Sequence, residues 1–254
     1  MIMGKLLFYP VGCTPACHGA AKALAQAGVE IADHITPEAT HLLMDVPSFS
    51  GAGVLKSGAR LEELLSLLPA GITLVGGNIP EKTVAEHPCI DLLQDAAYLY
   101  ENAALTAECA LRVAGEKIGF SFREAPVLVV GWGRIGKHLC RLLRGYGARV
   151  TVLSRKAAHL AEAASLGLSA LTPQGLAEKI GDFRLIFNTA PGMMVPAHIA
   201  ASCQSCLKID LASVPGIGGA DVIQARGLPG LHVPESAGKL IARTVLRLTQ
   251  EGRT

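Results

Sequence analysis

Val127-Leu128-Val129-Val130-Gly131-Trp132-Gly133-Arg134-Ile135-Gly136 decides how this chain is read. Four consecutive apolar residues form a buried-strand pattern that runs directly into Gly-x-Gly-x-x-Gly and then a helical pattern from Lys137 to Gly145. In that setting the three glycines have separate tasks: a tight turn, close approach of backbone to a pyrophosphate, and close packing of helix on strand. The helix start adds N–H groups and a positive dipole end. The stretch therefore predicts a dinucleotide site at Gly131, Trp132, Gly133, Arg134, Ile135 and Gly136. The same residues match Gly-x-x-x-x-Gly-Lys up to Lys137, but His138 follows where a P-loop needs Ser or Thr to hold magnesium.

A second strand, Arg149 to Leu153, follows at βαβ spacing and ends in Ser154-Arg155-Lys156. An NAD site places Asp or Glu there for the ribose hydroxyl, and a carboxylate would repel a 2′-phosphate. A small hydroxyl followed by two cations suits a phosphorylated ribose, so NADP is favoured over NAD. A solvated turn is the competing explanation of Arg155 and Lys156.

Outward from this unit the chain alternates strands and helices. Strands are predicted at Lys5 to Pro10, His41 to Val46 and Ile72 to Gly76, with helices from about Thr14 to Ala27 and from Leu61 to Leu67. Pro47 to Gly58 reads as a loop or lid. A helical pattern runs from about Ile90 to Lys117, with a break near Asp95. Further strands are expected at Leu185 to Asn188 and Leu207 to Leu211, and a last amphipathic helix from about Pro234 to Gln250.

The pattern predicts an α/β protein of two domains: a smaller N-terminal flavodoxin-like α/β domain and a C-terminal Rossmann domain with a doubly wound parallel sheet. The expected divisions are 1–90 for the substrate-side domain, 91–120 for a connecting helix, 121–232 for the NADP-binding domain, and 233–254 for a helix packing back on the first domain. Ligands bind at the carboxyl ends of such strands. The residues there, Asn188-Thr189-Ala190-Pro191 and Asp210-Leu211-Ala212, join the cofactor candidates.

Half the residues are hydrophobic, 17% are charged and 4% are aromatic, as suits cores of Ala, Leu, Val and Ile in parallel sheets. A net charge of +2 without a basic run argues against a nucleic-acid partner. No secretory leader and no membrane-length apolar run are found, so a cytoplasmic protein is expected. Seven cysteines at irregular spacing read as reduced thiols. Cys13-x-x-x-Cys17-His18 and Cys203-x-x-Cys206 lack a second ligand pair at zinc spacing, so no metal site is predicted.

Several segments together carry a resemblance. They are Val130-Gly-Trp-Gly-Arg-Ile-Gly-Lys137, Phe187 to Pro191, Asp210-Leu-Ala-Ser-Val-Pro-Gly216, Gly227-Leu-Pro-Gly-Leu-His-Val-Pro-Glu-Ser-Ala-Gly238, and Asn102 to Leu111. Over about Ile90 to Leu246 the chain resembles the A subunits of bacterial dipicolinate synthases. The resemblance implies a sporulation enzyme. With a flavoprotein B subunit, it would make pyridine-2,6-dicarboxylate from a dihydro precursor, with NADP as oxidant. More broadly the layout resembles D-2-hydroxyacid dehydrogenases, in which a Pro-His-x-x-Gly segment carries the catalytic His. Here Pro234-Glu235-Ser236-Ala237-Gly238 stands in its place.

That departure argues against hydroxyacid chemistry, because an ordinary Glu is ionised at neutral pH and donates a proton poorly. Oxidation to an aromatic product asks mainly for orientation, and a modest base suffices. The catalytic candidates are Glu235, Ser213 and Lys239. A dicarboxylate needs cations or N–H donors, which is the case for Lys239 against a merely solvated lysine. Asn102, Thr106 and Asn78 are the substrate-binding candidates, with helix packing and turn formation as their structural alternatives. His138 and His232 read as structural. A homo-oligomer is expected. The alternatives to the dipicolinate reading are a dehydrogenase for another small carboxylate and a non-catalytic NADP-binding partner of a flavoprotein.

Overall fold

In a computed structural model of the protein, residues 6–51 and 53–251 are described. The predicted first residue of the first strand, Lys5, lies outside them. The chain divides into two compact units, 1–102 with 229–254, and 103–228.

The first unit contains β1 (Leu7–Pro10), α1 (Pro15–Gln26), β2 (Glu30–Ile31), β3 (His41–Leu43), β4 (Phe49–Gly51), β5 (Val54–Leu55), α2 (Leu61–Leu65), β6 (Thr73–Gly76), α3 (Glu81–Glu86) and β7 (Cys89–Asp91). Five strands form one parallel sheet in the order β2-β1-β3-β6-β7. Omitting the small β4–β5 hairpin, this is the flavodoxin-like order. Leu42, Met44 and Leu74 sit at its centre, packed with Leu55, Leu61 and Ile72. The segment expected as a loop or lid thus holds a short antiparallel hairpin.

The pattern beginning at Ile90 is corrected in its first part. Cys89–Asp91 is an edge strand, Leu92–Gln94 a 3₁₀ turn, and the long helix α4 spans Ala96–Gly115. Asp91 accepts from the Leu93 N–H at 2.9 Å and Asp95 from the Tyr98 N–H at 2.7 Å, so two side-chain caps separate strand, turn and helix, the second at the break expected near Asp95.

The second unit contains β8 (Pro126–Val130), α5 (Arg134–Gly145), β9 (Arg149–Leu153), α6 (Ala157–Ser165), β10 (Ser169–Leu171), α7 (Leu176–Lys179), β11 (Leu185–Asn188), α8 (Ala197–Ala200), β12 (Leu207–Asp210) and β13 (Val222–Gln224). Its six strands are parallel, in the order β10-β9-β8-β11-β12-β13. That is the doubly wound order of a dinucleotide-binding sheet, reversing between β8 and β11. Leu128, Val130, Leu153, Ile186 and Phe183 lie in the core of one face.

After α9 (Leu228–His232), α10 (Pro234–Glu251) packs lengthwise on α1 within the first unit. Two glycines allow the approach. A Cβ on Gly238 would lie 2.5 Å from the Gly19 carbonyl carbon, and one on Gly19 would lie 2.9 Å from the Pro234 oxygen. Arg247 of α10 also reaches Asp95 at 2.7 Å, holding that carboxyl below its usual range against the opposing effect of its partial burial.

Candidate functional site

The turn from β8 into α5 has the geometry its glycines demand. Gly131 has φ +98°, a conformation open to glycine, and a Cβ there would lie 2.7 Å from Thr189 Oγ1. A Cβ on Gly136 would lie 2.4 Å from the Gly131 carbonyl oxygen, so only glycine lets α5 seat against the turn. At Gly133, the cap of α5, a Cβ would meet nothing within 4 Å. Two glycines are thus required by packing inside the unit. The third leaves space beside the first turn of the helix, whose leading N–H groups have no intrahelical acceptor. Space and donors together fit a pyrophosphate.

Gly131, Trp132, Gly133, Ser154, Arg155, Lys156, His159, Thr189, Ala190, Pro191 and Met194 line one groove. Arg155 and Lys156 are exposed, and neither is ion-paired among the described residues. Among the described residues no carboxylate lines this groove. Ser154 is buried. Its Oγ accepts from the Lys156 N–H at 3.2 Å and lies 3.2 Å from His159 Nδ1. Its hydroxyl shapes the turn rather than projecting from it.

Trp132 is 4% exposed and contributes mass to the groove wall, with Lys137 over its ring at 5.5 Å. Lys137 is paired at 2.6 Å with Glu162 of α6. This bond is the chief reason the Glu162 carboxyl lies below its usual range, with the nearby Trp132 indole contributing less. The indole N–H makes no well-formed hydrogen bond among the described residues. Arg134 is exposed and Ile135 half-buried in the first turn of α5.

The expected cofactor side chains of Asn188 and Asp210 have a different role in the structure. Both are fully buried at the ends of β11 and β12, and they are register partners. Asp210 accepts from Asn188 Nδ2 at 2.8 Å, Ala212 N at 3.0 Å, Gly216 N at 2.7 Å and Ile217 N at 3.0 Å. Asn188 also bonds both backbone groups of Ala190. These two residues fasten the loops that carry Thr189 to Pro191 and Leu211 to Gly216, and their polar atoms are consumed in doing so. Thr189 likewise turns its hydroxyl inward to the Val130 carbonyl at 2.9 Å. Leu211 and Ala212 are buried and Ser213 is exposed.

In the first unit an internal carboxylate takes the place a phosphate would need. Asp45, 2% exposed, accepts from Cys13 N and Thr14 N at 3.0 Å each and from the Thr14 hydroxyl, so the start of α1 is already occupied. The nucleotide geometry therefore belongs to the second unit. Asn78 is exposed with φ +57°, and its N–H bonds Asp91. Asn102 and Thr106 lie one turn apart on α4, half-buried and buried.

Glu235 and Lys239, expected as separate chemical groups, are ion-paired with each other at 2.6 Å on an exposed face of α10. The Lys239 ammonium holds the Glu235 carboxyl below its ordinary range. That is the wrong direction for a proton donor at neutral pH. They border a groove with His18, Lys22, Pro15 and Pro234 in the first unit. The His18 and Lys22 positions were missed because they lie in α1, far in sequence from α10.

Cys17 is buried beneath Gly12 and its thiol is pushed up to about 12 by burial, while burial also raises Cys206. Neither has the exposed, low-pKa character of a reactive thiol. No cluster of metal-ligating residues occurs among the described residues.

Comparison with known proteins agrees with this geometry. A family described as "Putative NAD(P)-binding" matches residues 118–214. The A subunit of dipicolinate synthase from Bacillus subtilis (strain 168) is 27% identical over 232 residues, covering 83% of this chain and 77% of that one. The crystal structure of the dipicolinate synthase A subunit from Bacillus halodurans superposes with a TM-score of 0.83 at 22% identity, covering 98% of each chain. That of a transhydrogenase from Sinorhizobium meliloti does so at 0.70 and 15% identity, covering 96% of this chain and 93% of that one. The chain is thus similar to dipicolinate synthase A subunits in sequence and fold, and residues 118–214 match a family described as NAD(P)-binding. No helix among the described residues is long and apolar enough to cross a membrane.

Proposed function

We propose that this chain is an NADP-dependent dehydrogenase that serves as the A subunit of a dipicolinate synthase. In this reading it oxidises a dihydropyridine dicarboxylate to the aromatic pyridine dicarboxylate in the cytoplasm during sporulation, as a homo-oligomer working with a flavoprotein B subunit. The observation that carries the cofactor choice is Ser154-Arg155-Lys156 at the end of β9, a carboxylate-free groove wall with two unpaired cations beside the glycine turn.

The bound nicotinamide would supply the hydride acceptor. The chain's own residues bind and orient. Gly133 and the first turn of α5 admit the pyrophosphate, Arg155 and Lys156 take the 2′-phosphate through charge-assisted hydrogen bonds, and Thr189 to Pro191 form the wall along which the dinucleotide lies. We assign Lys239, with Asn78, Asn102 and Thr106, to the dicarboxylate, and Ser213 to the reacting end of the cofactor loop. Aromatisation needs only a weak base for the ring proton, which is compatible with a site that lacks a histidine where hydroxyacid dehydrogenases carry theirs.

The Glu235–Lys239 pair favours one second reading, that of a partner which binds NADP and presents it to the flavoprotein without itself moving a proton. Turnover separates the two. The purified chain is mixed with the dihydropyridine dicarboxylate and NADP, and NADPH formation is followed by absorbance with and without the flavoprotein. Turnover by the chain alone, abolished in Gly133→Val, supports the dehydrogenase. Turnover confined to the mixture and unaffected by that substitution would overturn it.

A further inference from the structure

A large cavity runs along β7 and the C-terminal end of α10, where nothing indicates an occupant, and the groove of His18, Lys22, Glu235 and Lys239 includes the lysine already assigned to substrate. His159, in the first turn of α6, lines the cofactor groove together with Arg155 and Lys156.

The Ser154 hydroxyl holds the ring. Its Oγ accepts from the Lys156 N–H at 3.2 Å and lies 3.2 Å from His159 Nδ1. The other ring nitrogen, Nε2, has no hydrogen-bond partner among the described residues. The surrounding charges are Arg155 and Lys156 from the turn, Glu162 one turn further along α6, and Lys137 of α5, which neutralises Glu162 at 2.6 Å. Glu162 also feels the charge of His159, but its hydrogen bond is made to Lys137, and the charged side chains that line the groove beside the ring are Arg155 and Lys156.

We infer that His159 is a specificity-determining residue for the phosphorylated ribose: its Nε2–H donates to the 2′-phosphate, and in the complex the ring becomes an imidazolium that completes a three-cation seat with Arg155 and Lys156. The inference rests on the NADP reading above and adds a pH dependence to it. Histidine ordinarily changes charge between about pH 5 and 8. A bound dianion favours the protonated ring, so binding takes up a proton and NADPH affinity falls as pH rises. The ribose phosphate itself gains a proton near pH 6, so the effect is read above that value. NADH has no such group, and its affinity follows a flat profile.

The test is fluorescence titration with NADPH and NADH from about pH 6.5 to 8.5, on the unmodified chain, His159→Gln, His159→Lys and Arg155→Ala. The NADPH-to-NADH affinity ratio should fall about tenfold over that range in the unmodified chain, lie low and nearly flat in His159→Gln, and lie high and flat in His159→Lys, with NADH affinity unchanged throughout. A ratio whose pH profile survives His159→Gln, or equal loss of both cofactors, would overturn the role of His159. If Arg155→Ala still collapses the ratio in that case, the NADP reading stands without it. A ratio near one in the unmodified chain at every pH overturns both.

Discussion

Asn188 and Asp210 face each other at the ends of neighbouring strands, joined by a hydrogen bond of 2.8 Å, both fully buried. Among the described residues the carboxylate has four donors and no cation, so the loop of Thr189 to Pro191, which lines the groove, and that of Leu211 to Gly216 are gathered onto one buried carboxylate. Its stability depends on every donor being present. Asp210→Ala leaves those donors unsatisfied and should cost about 3–5 kcal/mol in urea unfolding. Asp210→Asn, which keeps the shape but sets an amide N–H₂ against N–H donors, should cost about 2–4 kcal/mol. A loss under about 0.5 kcal/mol for both would show that the loops hold themselves.

The glycines of the turn should separate folding from binding. Gly131→Ala forces a side chain to φ +98° against Thr189 and should destabilise the second unit by about 1–3 kcal/mol. Gly133→Ala meets open space, so its thermal midpoint should be unchanged while dinucleotide affinity falls at least about tenfold through lost backbone approach. Calorimetry on both variants checks this, and normal cofactor binding by Gly133→Ala would remove the pyrophosphate from that position.

Much of this site was legible because its signals are local. The run Val127 to Val130, the three glycines, and Ser154-Arg155-Lys156 each announce themselves within a few residues, and β8, α5 and β9 occur where the pattern puts them. The strands β2, β7, β10 and β13 were not predicted. Each has two or three residues, too few for an alternating pattern, and each lies at a sheet edge. The work done by Asp210, Asp45 and Asn188 was equally hidden. A carboxylate reveals its role only through donors brought near it by folding, and the partners of Asp45 are 31 and 32 residues away. His159 was discoverable in principle, five residues from Ser154 across a strand–helix turn, but a lone histidine there carries no signature.

Lys208 is fully buried on β12, its ammonium bonded to the carbonyls of Cys203 and Cys206 and to Asp221 at 2.6 Å. Asp221→Asn strips the buried ammonium of its counter-charge and should destabilise more than Lys208→Met, which removes the charge while keeping the stem. The Asp221 carboxyl is held below its usual range chiefly by its hydrogen bond to Lys208. A depressed carboxyl contributes stability above the unfolded value, near pH 4, and loses it as pH falls through the lower folded value. Urea midpoints should therefore drop below about pH 4 in the unmodified chain and less steeply in Asp221→Asn. Identical acid profiles would contradict this assignment.

Glu235 is exposed and already ionised in its pair with Lys239. Glu235→Gln should leave kcat within a few-fold and the acidic limb of the pH–rate profile in place, whereas Lys239→Ala should raise KM for the dicarboxylate. Loss of the acidic limb in Glu235→Gln would restore that residue to proton transfer.

We propose that the groove between the glycine turn and the end of β9 seats a dinucleotide with a phosphorylated ribose. Isothermal titration calorimetry with NADP and NAD, on the unmodified chain and on the double variant Arg155→Ala with Lys156→Ala, measures it directly. We predict that NADP binds about 10–100-fold more tightly than NAD, and that the double variant closes the gap by weakening NADP alone. Equal affinities unmoved by the substitutions, or no heat with either dinucleotide, would contradict the account.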